Sequence, residues 1–231
     1  MIFIFEERPS ESSFVETIWQ TQSENAGSFI SRAVSHWEIV VTKQDGQMTL
    51  TLRGPETRAT PAPCPANAEF LGIQFKLGTF MPHLPVSSLV DNATTLPKAT
   101  SQSFWLNHSA WQFPNFDDAD TFVDRLVREG LLVREPIVDA VLRRQQQGRL
   151  AQSATPKESL RSIQRHFIQA TGLTHCTIQQ IERAQQAADL LEQGVSILDA
   201  VDRAGYADQP HLTRSLKRFI GQTPAQVSRK R

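Results

Sequence analysis

Hydrophobic residues follow two different periods along the chain, and the change falls near residue 114. Before it, short runs rich in β-branched and aromatic residues are separated by turn residues, which predicts strands. After it, apolar residues recur every three or four positions, which predicts helices. The sequence therefore predicts an α+β fold in which a small β-rich part precedes a helical part.

The clearest strand signal is a hairpin in the first part. Residues 37–42 and 48–52 are strand-like runs, and Asp45-Gly46 between them favours a tight turn. Residues 70–77 repeat the strand pattern, and residues 1–5 predict an edge strand. Residues 12–20 fit either a strand or one face of a helix. The range 53–67 holds four prolines and a glycine, so we expect no regular structure there.

Two helices are predicted after residue 114 as connectors to the C-terminal part. The first apolar set with helical spacing is Phe116, Phe122, Val123, Leu126, Val127 and Leu131. The second set follows Pro136 and consists of Ile137, Val138, Val141 and Leu142. Both sets place their apolar side chains on one face of a helix.

The sharpest helical pattern, residues 196–221, predicts a helix-turn-helix. Ile197, Ala200, Val201 and Ala204 form one helical stripe, and Gly205 follows where the chain must reverse. Asp208 is placed to cap a second helix, which tolerates Pro210 in its first turn. The apolar stripe of that second helix consists of Leu212, Leu216, Phe219 and Ile220.

The opposite face of this second helix is cationic. At 100° per residue, Pro210, Arg214 and Lys217 point away from the apolar stripe, with Arg218 beside them and His211 and Thr213 on the flanks. Arginine and lysine suit phosphates and guanine edges, and a helix fits the major groove. A solvated surface helix would show the same charge pattern.

A similar but less complete arrangement precedes it. Leu160, Ile163, Phe167 and Ala170 form a stripe that leaves Arg161, Ser162 and Arg165 outward, with Gln164 on the flank. Gly172 ends this helix, and Thr174 is placed to cap a long helix over residues 175–192. Eighteen residues span about 27 Å. Such a helix can hold two groove-binding helices near one turn of DNA, ~34 Å, apart.

The C-terminal string resembles a known signature. Gly205-Tyr206, then 212–219, then Gly221-Gln222-Thr223-Pro224 follow in the order found at the end of AraC/XylS-type transcription regulators. The resemblance covers about the last third of the chain. It implies two helix-turn-helix units joined by a helix and, at the other end of the chain, a cupin-like β domain for effector sensing or dimerisation.

Charge is distributed in a way that fits this resemblance. Residues 1–148 carry 12 basic and 17 acidic side chains, whereas residues 149–231 carry 12 and 7, so a net charge of −5 is followed by +5. A basic C-terminal part is what a polyanionic partner requires. Chance segregation of charge would give the same numbers.

Other chemistry finds little support in the residue pattern. Cys64 and Cys176 form no C-x-x-C pair, and the six histidines show no H-x-H or H-E-x-x-H spacing, so we expect no disulfide framework, metal or cofactor. Residues 1–5 are too short for a secretory segment, and no apolar run approaches a membrane span. A reducing cytoplasm fits these features. The aromatic cluster Phe104, Trp105, Trp111 and Phe113 favours core packing over a ligand cage.

The resemblance implies a bacterial, cytoplasmic, sequence-specific regulator that is not an enzyme. Expected limits are 1–113 for the β-rich domain, 114–148 for the connecting helices and 149–231 for the DNA-binding domain. Double-stranded DNA is the expected partner, and a small-molecule effector, a homodimer through the N-terminal domain and RNA polymerase are further candidates. The expected DNA-contacting residues are Arg161, Ser162, Gln164, Arg165, Gln209, His211, Thr213, Arg214, Lys217 and Arg218. Gln209 is included on the resemblance, because helix geometry places it toward the core edge.

Two other functions stay open from sequence. One is a protein-interaction module of the same fold that has lost DNA binding. It is motivated by the family's aliphatic-alanine order being reversed at Ala200-Val201 and by the sparse apolar anchors, Leu150 and Ala154, before Ser159. The other is a cupin-like enzyme with a helical appendage, which would need clustered metal ligands or an acid/base pair.

Overall fold

The computed structural model describes residues 4–146 and 159–229, as thirteen strands, seven α-helices and a 3-10 turn at Val86–Ser88. In chain order the strands are β1 Ile4–Arg8, β2 Val15–Ser23, β3 Gly27–Ser31, β4 Glu38–Gln44, β5 Gln47–Arg53, β6 Thr60–Cys64, β7 Ala68–Phe75, β8 Thr79–Phe80, β9 Ala93–Thr95, β10 Lys98–Thr100, β11 Ser103–Leu106, β12 Ser109–Gln112 and β13 Val133–Arg134. The helices are α1 Ala119–Arg128, α2 Pro136–Gln146, α3 Leu160–Thr171, α4 His175–Glu192, α5 Ile197–Arg203, α6 Gln209–Phe219 and α7 Pro224–Ser228.

These elements form two compact units, each assembled from separate stretches of the chain. Unit 1 comprises Met1–Gly27, His36–Pro55 and Pro65–Thr174, and unit 2 comprises Ser28–Ser35, Glu56–Cys64 and His175–Arg231. A β-rich N-terminal region followed by a C-terminal helical region confirms the predicted α+β class. The expected domain limits, 1–113, 114–148 and 149–231, stay a prediction.

Unit 1 is built on a six-stranded antiparallel sheet in the order β1-β2-β7-β4-β5-β9. The predicted hairpin is present as β4 and β5, and Asp45 and Gly46 both have positive φ, 49° and 73°, as a tight turn between twisted strands requires. The ambiguous range 12–20 is strand, since β2 pairs with both β1 and β7. β1 lies at the sheet edge, as expected for residues 4–5; residues 1–3 are outside the described range.

The core of unit 1 lies on one face of this sheet. Ile18, Ile39, Leu52 and Ile73 are at most 1% exposed and share a cluster with Val123 and Leu126 of α1. The helix α1 therefore completes the core of the β-rich unit, in addition to continuing the chain toward α2.

The expectation of no regular structure in residues 53–67 was wrong, because β6 lies there and pairs with β3. Pro61 and Pro63 are two residues apart, so their missing N–H groups point to the same side of the strand. A two-stranded sheet leaves that side unpaired and tolerates the prolines.

Unit 2 combines this strand pair with α4, α5, α6 and α7. Its buried apolar side chains come mainly from α4 and α6, among them Ile178, Ile181, Leu212 and Leu216, all fully buried. No helix in residues 4–146 or 159–229 has the length and apolar character needed to cross a membrane.

Candidate nucleic-acid interface

The helix α6 starts as the sequence predicted. Asp208 is its N-cap, and its carboxylate accepts a hydrogen bond of 2.6 Å from the backbone N–H of His211. Pro210 occupies the first turn, where its missing N–H leaves no bond unmade. The cap and the proline fix where the helix begins, and hence which side chains share its outer face.

The two faces of α6 are separated as predicted. Leu212, Leu216, Phe219 and Ile220 are at most 3% exposed. On the opposite side the predicted residues Gln209, Arg214, Lys217 and Arg218 are exposed, and His211 and Thr213 are half-buried. The Thr213 hydroxyl donates to the carbonyl of Gln209 at 2.9 Å, so at this position it serves the helix itself.

The turn before α6 holds Gly205 with φ of 70°, followed by the buried Tyr206. The Tyr206 hydroxyl and Ser215 Oγ lie 2.8 Å apart, and its ring meets His211 edge-on at 5.1 Å between centroids. Ala200 and Val201 of α5 are both buried. The tyrosine thus joins the turn to the middle of α6.

The C-terminal end of α6 is bonded to backbone that flanks the strand pair of unit 2. The backbone N–H of Ala33 donates to the carbonyl of Phe219, and that of Ala59 donates to the carbonyl of Arg218, both at 2.7 Å. These carbonyls have no partner within the helix. On α4, Gln185 Nε2 donates to the Ala33 carbonyl at 2.8 Å. Backbone from residues 28–35 and 56–64 therefore fixes the end of α6.

Gly221 permits this approach. Its φ is 77°, and an added Cβ would lie 2.7 Å from Ile30 Cγ2 and 3.1 Å from Ala59 Cβ. The glycine of the signature is therefore needed both for its backbone conformation and for the space beside the strands.

The other predicted reading helix, α3, is also formed, and it ends at Gly172 as predicted. Ser159 caps it by accepting from the Ser162 N–H at 3.2 Å, and Gly172 ends it with φ of 73°. Arg161, Gln164 and Arg165 are exposed, Ser162 is half-buried, and Phe167 is 4% exposed. The predicted first helix of this half, in residues 149–158, lies outside the described residues.

Helix α3 belongs to unit 1, where it packs against α2 and the 3-10 turn. A Cβ on Gly172 would lie 3.0 Å from the Val86 carbonyl oxygen, and His166 Nδ1 is 3.3 Å from Glu135 Oε2. The ten predicted residues thus form two groups, four on α3 in unit 1 and six on α6 in unit 2. That the two groups occupy successive grooves stays a prediction.

The long helix α4 runs from His175 to Glu192, as predicted. Two acids on it have raised pKa values: burial raises the pKa of Glu182, and burial together with the charge of Glu192 raises that of Asp189. Arg32 opposes the shift of Asp189 and pairs with Glu192 at 2.5 Å. Arg32 thereby neutralises part of the negative charge on unit 2.

Two other kinds of site considered from the sequence are a metal site and an aromatic ligand cage. Among the described residues, no three His, Cys, Asp or Glu side chains cluster closely enough to hold a metal ion. Phe104 and Trp111 are buried core residues, as favoured from sequence, but Trp105 is 47% exposed and does not join them. The β11–β12 register explains the difference, because neighbouring positions on a strand face opposite sides.

Sequence reasoning missed Arg183 on α4. Its guanidinium carbon lies 5.0 Å from the centroid of the Tyr206 ring, and the residue lines a pocket with Arg214 and Arg218. The helical periodicity of α4 predicts that Arg183 lies beside the apolar stripe of that helix. It does not predict the contact with Tyr206, which lies 23 residues further along the chain.

Comparison with known proteins agrees with the geometry of the C-terminal part. A family model described as a helix-turn-helix domain matches residues 157–230. Neither the curated proteins nor the solved structures contain a match to this chain.

Proposed function

We propose that the chain is a DNA-binding transcription regulator of the AraC/XylS type that recognises a specific DNA sequence with α6. The match of residues 157–230 to a helix-turn-helix domain supports this proposal. The observation that carries the proposal is the outer face of α6. Arg214, Lys217 and Arg218 are exposed there, on a helix fixed by a side-chain cap at one end and by backbone bonds at the other.

Such a fixed cationic helix suits the major groove. A rigid support keeps side chains within the small tolerance that base recognition needs. We assign Gln209, His211 and Arg214, near the N-terminal half of α6, to base edges, as expected for a helix that enters the groove by this end. Thr213 lies on the flank of that half, while Lys217 and Arg218 are assigned to phosphates.

The helix α3 is proposed as a second reading helix within a DNA-binding part of residues 149–231. Arg161, Gln164 and Arg165 are exposed on one side of it, and Ser162 lies at its first turn. Two reading helices would extend the recognised sequence over two successive grooves.

We propose a regulatory role for the β-rich part, residues 1–113, with residues 114–148 linking it to the DNA-binding part. The cupin-like character of the β-rich part, its response to a small-molecule effector, its use for homodimerisation and contact with RNA polymerase all rest on the family resemblance. A direct test is whether the oligomeric state or the DNA affinity of the full chain changes on adding candidate metabolites.

The proposed function is tested with the full chain and a pool of random duplexes. Repeated selection of bound duplexes should enrich one sequence, and binding to it, measured by fluorescence anisotropy, should weaken steeply as salt rises. Failure to enrich any sequence would contradict sequence recognition. Absence of binding even at low salt would favour the alternative of a protein-interaction module.

A further inference from the structure

A pocket of about 220 Å³ lies between α4 and α6 within unit 2 and is open to solvent. Its lining includes three arginines, Arg183 from α4 and Arg214 and Arg218 from α6, together with His211 and Ser215. None of its lining residues is an aspartate or a glutamate. Three guanidinium groups around one small space repel each other, so the pocket is suited to an anion.

Arg183 is held in place by the buried tyrosine. Its guanidinium carbon lies 5.0 Å from the Tyr206 ring centroid, a cation–π distance. The tyrosine is itself fixed, because its hydroxyl lies 2.8 Å from Ser215 Oγ and its ring meets His211 edge-on. The guanidinium is thus oriented before any ligand arrives.

One donor of Arg183 is unused. Its Nε is buried and has no hydrogen-bond partner among the described residues. A buried donor without an acceptor is less stable than one that makes its hydrogen bond. An oxyanion in the pocket would supply acceptors to the guanidinium group, whose planar fork suits phosphate oxygens.

We propose that this pocket binds one phosphate of the DNA backbone, with Arg183 and Arg218 as its charged ligands. The inference rests on the proposed function and adds a contact from α4, a helix with no predicted DNA ligand. DNA is favoured over a free anion because Arg214 and Arg218, two of the lining residues, lie on the exposed face of α6 assigned to DNA. An open pocket also holds an anion better when neighbouring contacts tether that anion.

The first test measures DNA binding of full-chain variants at several salt concentrations. Arg183→Met keeps an apolar chain over Tyr206 and removes the charge, whereas Arg183→Lys keeps the charge without the fork. Arg128→Met is the control, because Arg128 is exposed on α1 in unit 1 and outside every proposed contact. Thermal unfolding checks each fold first, and Arg183→Gln replaces the Met variant if that variant unfolds.

Arg183→Met should bind the selected sequence and unrelated duplexes roughly tenfold more weakly. Its slope of log affinity against log salt should fall by about one. Arg183→Lys should keep the slope and lose part of the affinity, and Arg128→Met should match the wild type. An unchanged slope and affinity in Arg183→Met, while the wild-type chain binds DNA, would overturn the phosphate site and leave the proposed function standing.

A second test identifies the phosphate itself. Single methylphosphonate substitutions in the duplex remove one backbone charge at a time. At one position the substitution should weaken the binding of Arg183→Met less than it weakens wild-type binding, because the contact with Arg183 is already lost in the variant and only that with Arg218 remains. Additive losses at every position would overturn the contact.

Inorganic phosphate distinguishes the other source of the anion. If millimolar phosphate at constant ionic strength raised the unfolding temperature of the wild type but not of Arg183→Met, while DNA binding did not depend on Arg183, the site would belong to a free anion. That outcome would overturn the assignment to DNA.

Discussion

Arg214 and Lys217 lie one turn apart on the exposed face of α6, yet replacing them is expected to change DNA binding in different ways. A guanidinium at Arg214, in the half of the helix nearer its N-terminus, can make a bidentate contact to guanine worth ~1–3 kcal/mol of base discrimination. Arg214→Ala should therefore flatten the preference at one base pair. Lys217→Ala should weaken all sequences about equally and lower the salt slope by roughly one.

The measurement compares both variants on the selected sequence and on its single-base variants. If both variants lost affinity uniformly, α6 would lie across the backbone rather than in the groove. Specificity would then have to come from Arg161 and Arg165 on α3.

His36 in unit 1 gives a prediction about pH. Burial lowers the pKa of His36 to about 4, and the amide nitrogen of Gln74 contacts its Nε2. Because the folded state binds a proton less readily than the unfolded state, with its ordinary pKa near 6.5, the unfolded state gains protons first as pH falls. The contribution of His36 to the stability of unit 1 is therefore fully present above pH ~6.5 and is lost progressively as the pH falls toward ~4.

Between pH 7 and pH 5 the free energy of unfolding of unit 1 should fall by about 2 kcal/mol from this group. His36→Gln should reduce that slope. Urea unfolding followed by tryptophan fluorescence reports on unit 1, because all four tryptophans lie there. An identical pH slope in the variant would show that other groups cause it.

At the scale of elements, replacing Gly205 or Gly221 tests how much the packing of the strand pair against the end of α6 contributes to the stability of unit 2. Gly205 and Gly221 both have positive φ, 70° and 77°, so alanine at either position is strained by about 1–2 kcal/mol. A Cβ at Gly205 meets nothing within 4 Å, whereas one at Gly221 collides with Ile30 and Ala59. Gly221→Ala should therefore destabilise unit 2 by about 1–3 kcal/mol more than Gly205→Ala.

Thermal unfolding of the two full-chain variants measures the difference, with Gly205→Ala as the matched control. Equal losses would mean that the strands move aside without cost to unit 2. A larger loss in Gly221→Ala would establish that α6 and the strand pair are packed as one body.

Elements with local signals could be predicted from sequence, and elements defined by distant partners could not. Asp208, Gly172 and the Asp45-Gly46 turn act on backbone within four residues. The start of α6, the end of α3 and the position of the hairpin therefore followed from residue type. The strand β6 was not predicted, because its prolines were taken to exclude any strand. A proline removes an N–H from only one side of a strand, and the other side can still pair. The grouping of β3 and β6 with α6 could not be predicted from the hydrophobic pattern of the sequence. The hydrogen bonds to the end of α6 come from the main-chain N–H groups of Ala33 and Ala59, which do not depend on side-chain type.

At the scale of the whole molecule, the part of the chain that matches a helix-turn-helix domain is not self-contained. Unit 2 includes residues 28–35 and 56–64, which lie some hundred residues or more before α4. All of Pro65–Thr174, which belongs to unit 1, separates these stretches from the C-terminal helices along the chain. The contribution of the two stretches to α6 therefore has to be measured locally, at the amides of that helix.

Hydrogen exchange of the amides in Gln209–Phe219 provides this measurement for both the full chain and a fragment of residues 149–231. The fragment lacks the two N–H donors that bond the carbonyls of Arg218 and Phe219, and each such bond contributes about 0.5–1.5 kcal/mol. The Arg32–Glu192 pair, about one-third exposed on both sides, should add little. We therefore expect the α6 amides to exchange roughly five- to hundredfold faster in the fragment.

The variant Ala33→Pro in the full chain removes one of the two donors, so its α6 amides should exchange at a rate between those of the full chain and the fragment. Equal exchange in fragment and full chain would show that α6 is stable without the strands, and that the N-terminal sequence plays no part in fixing the helix that we assign to DNA.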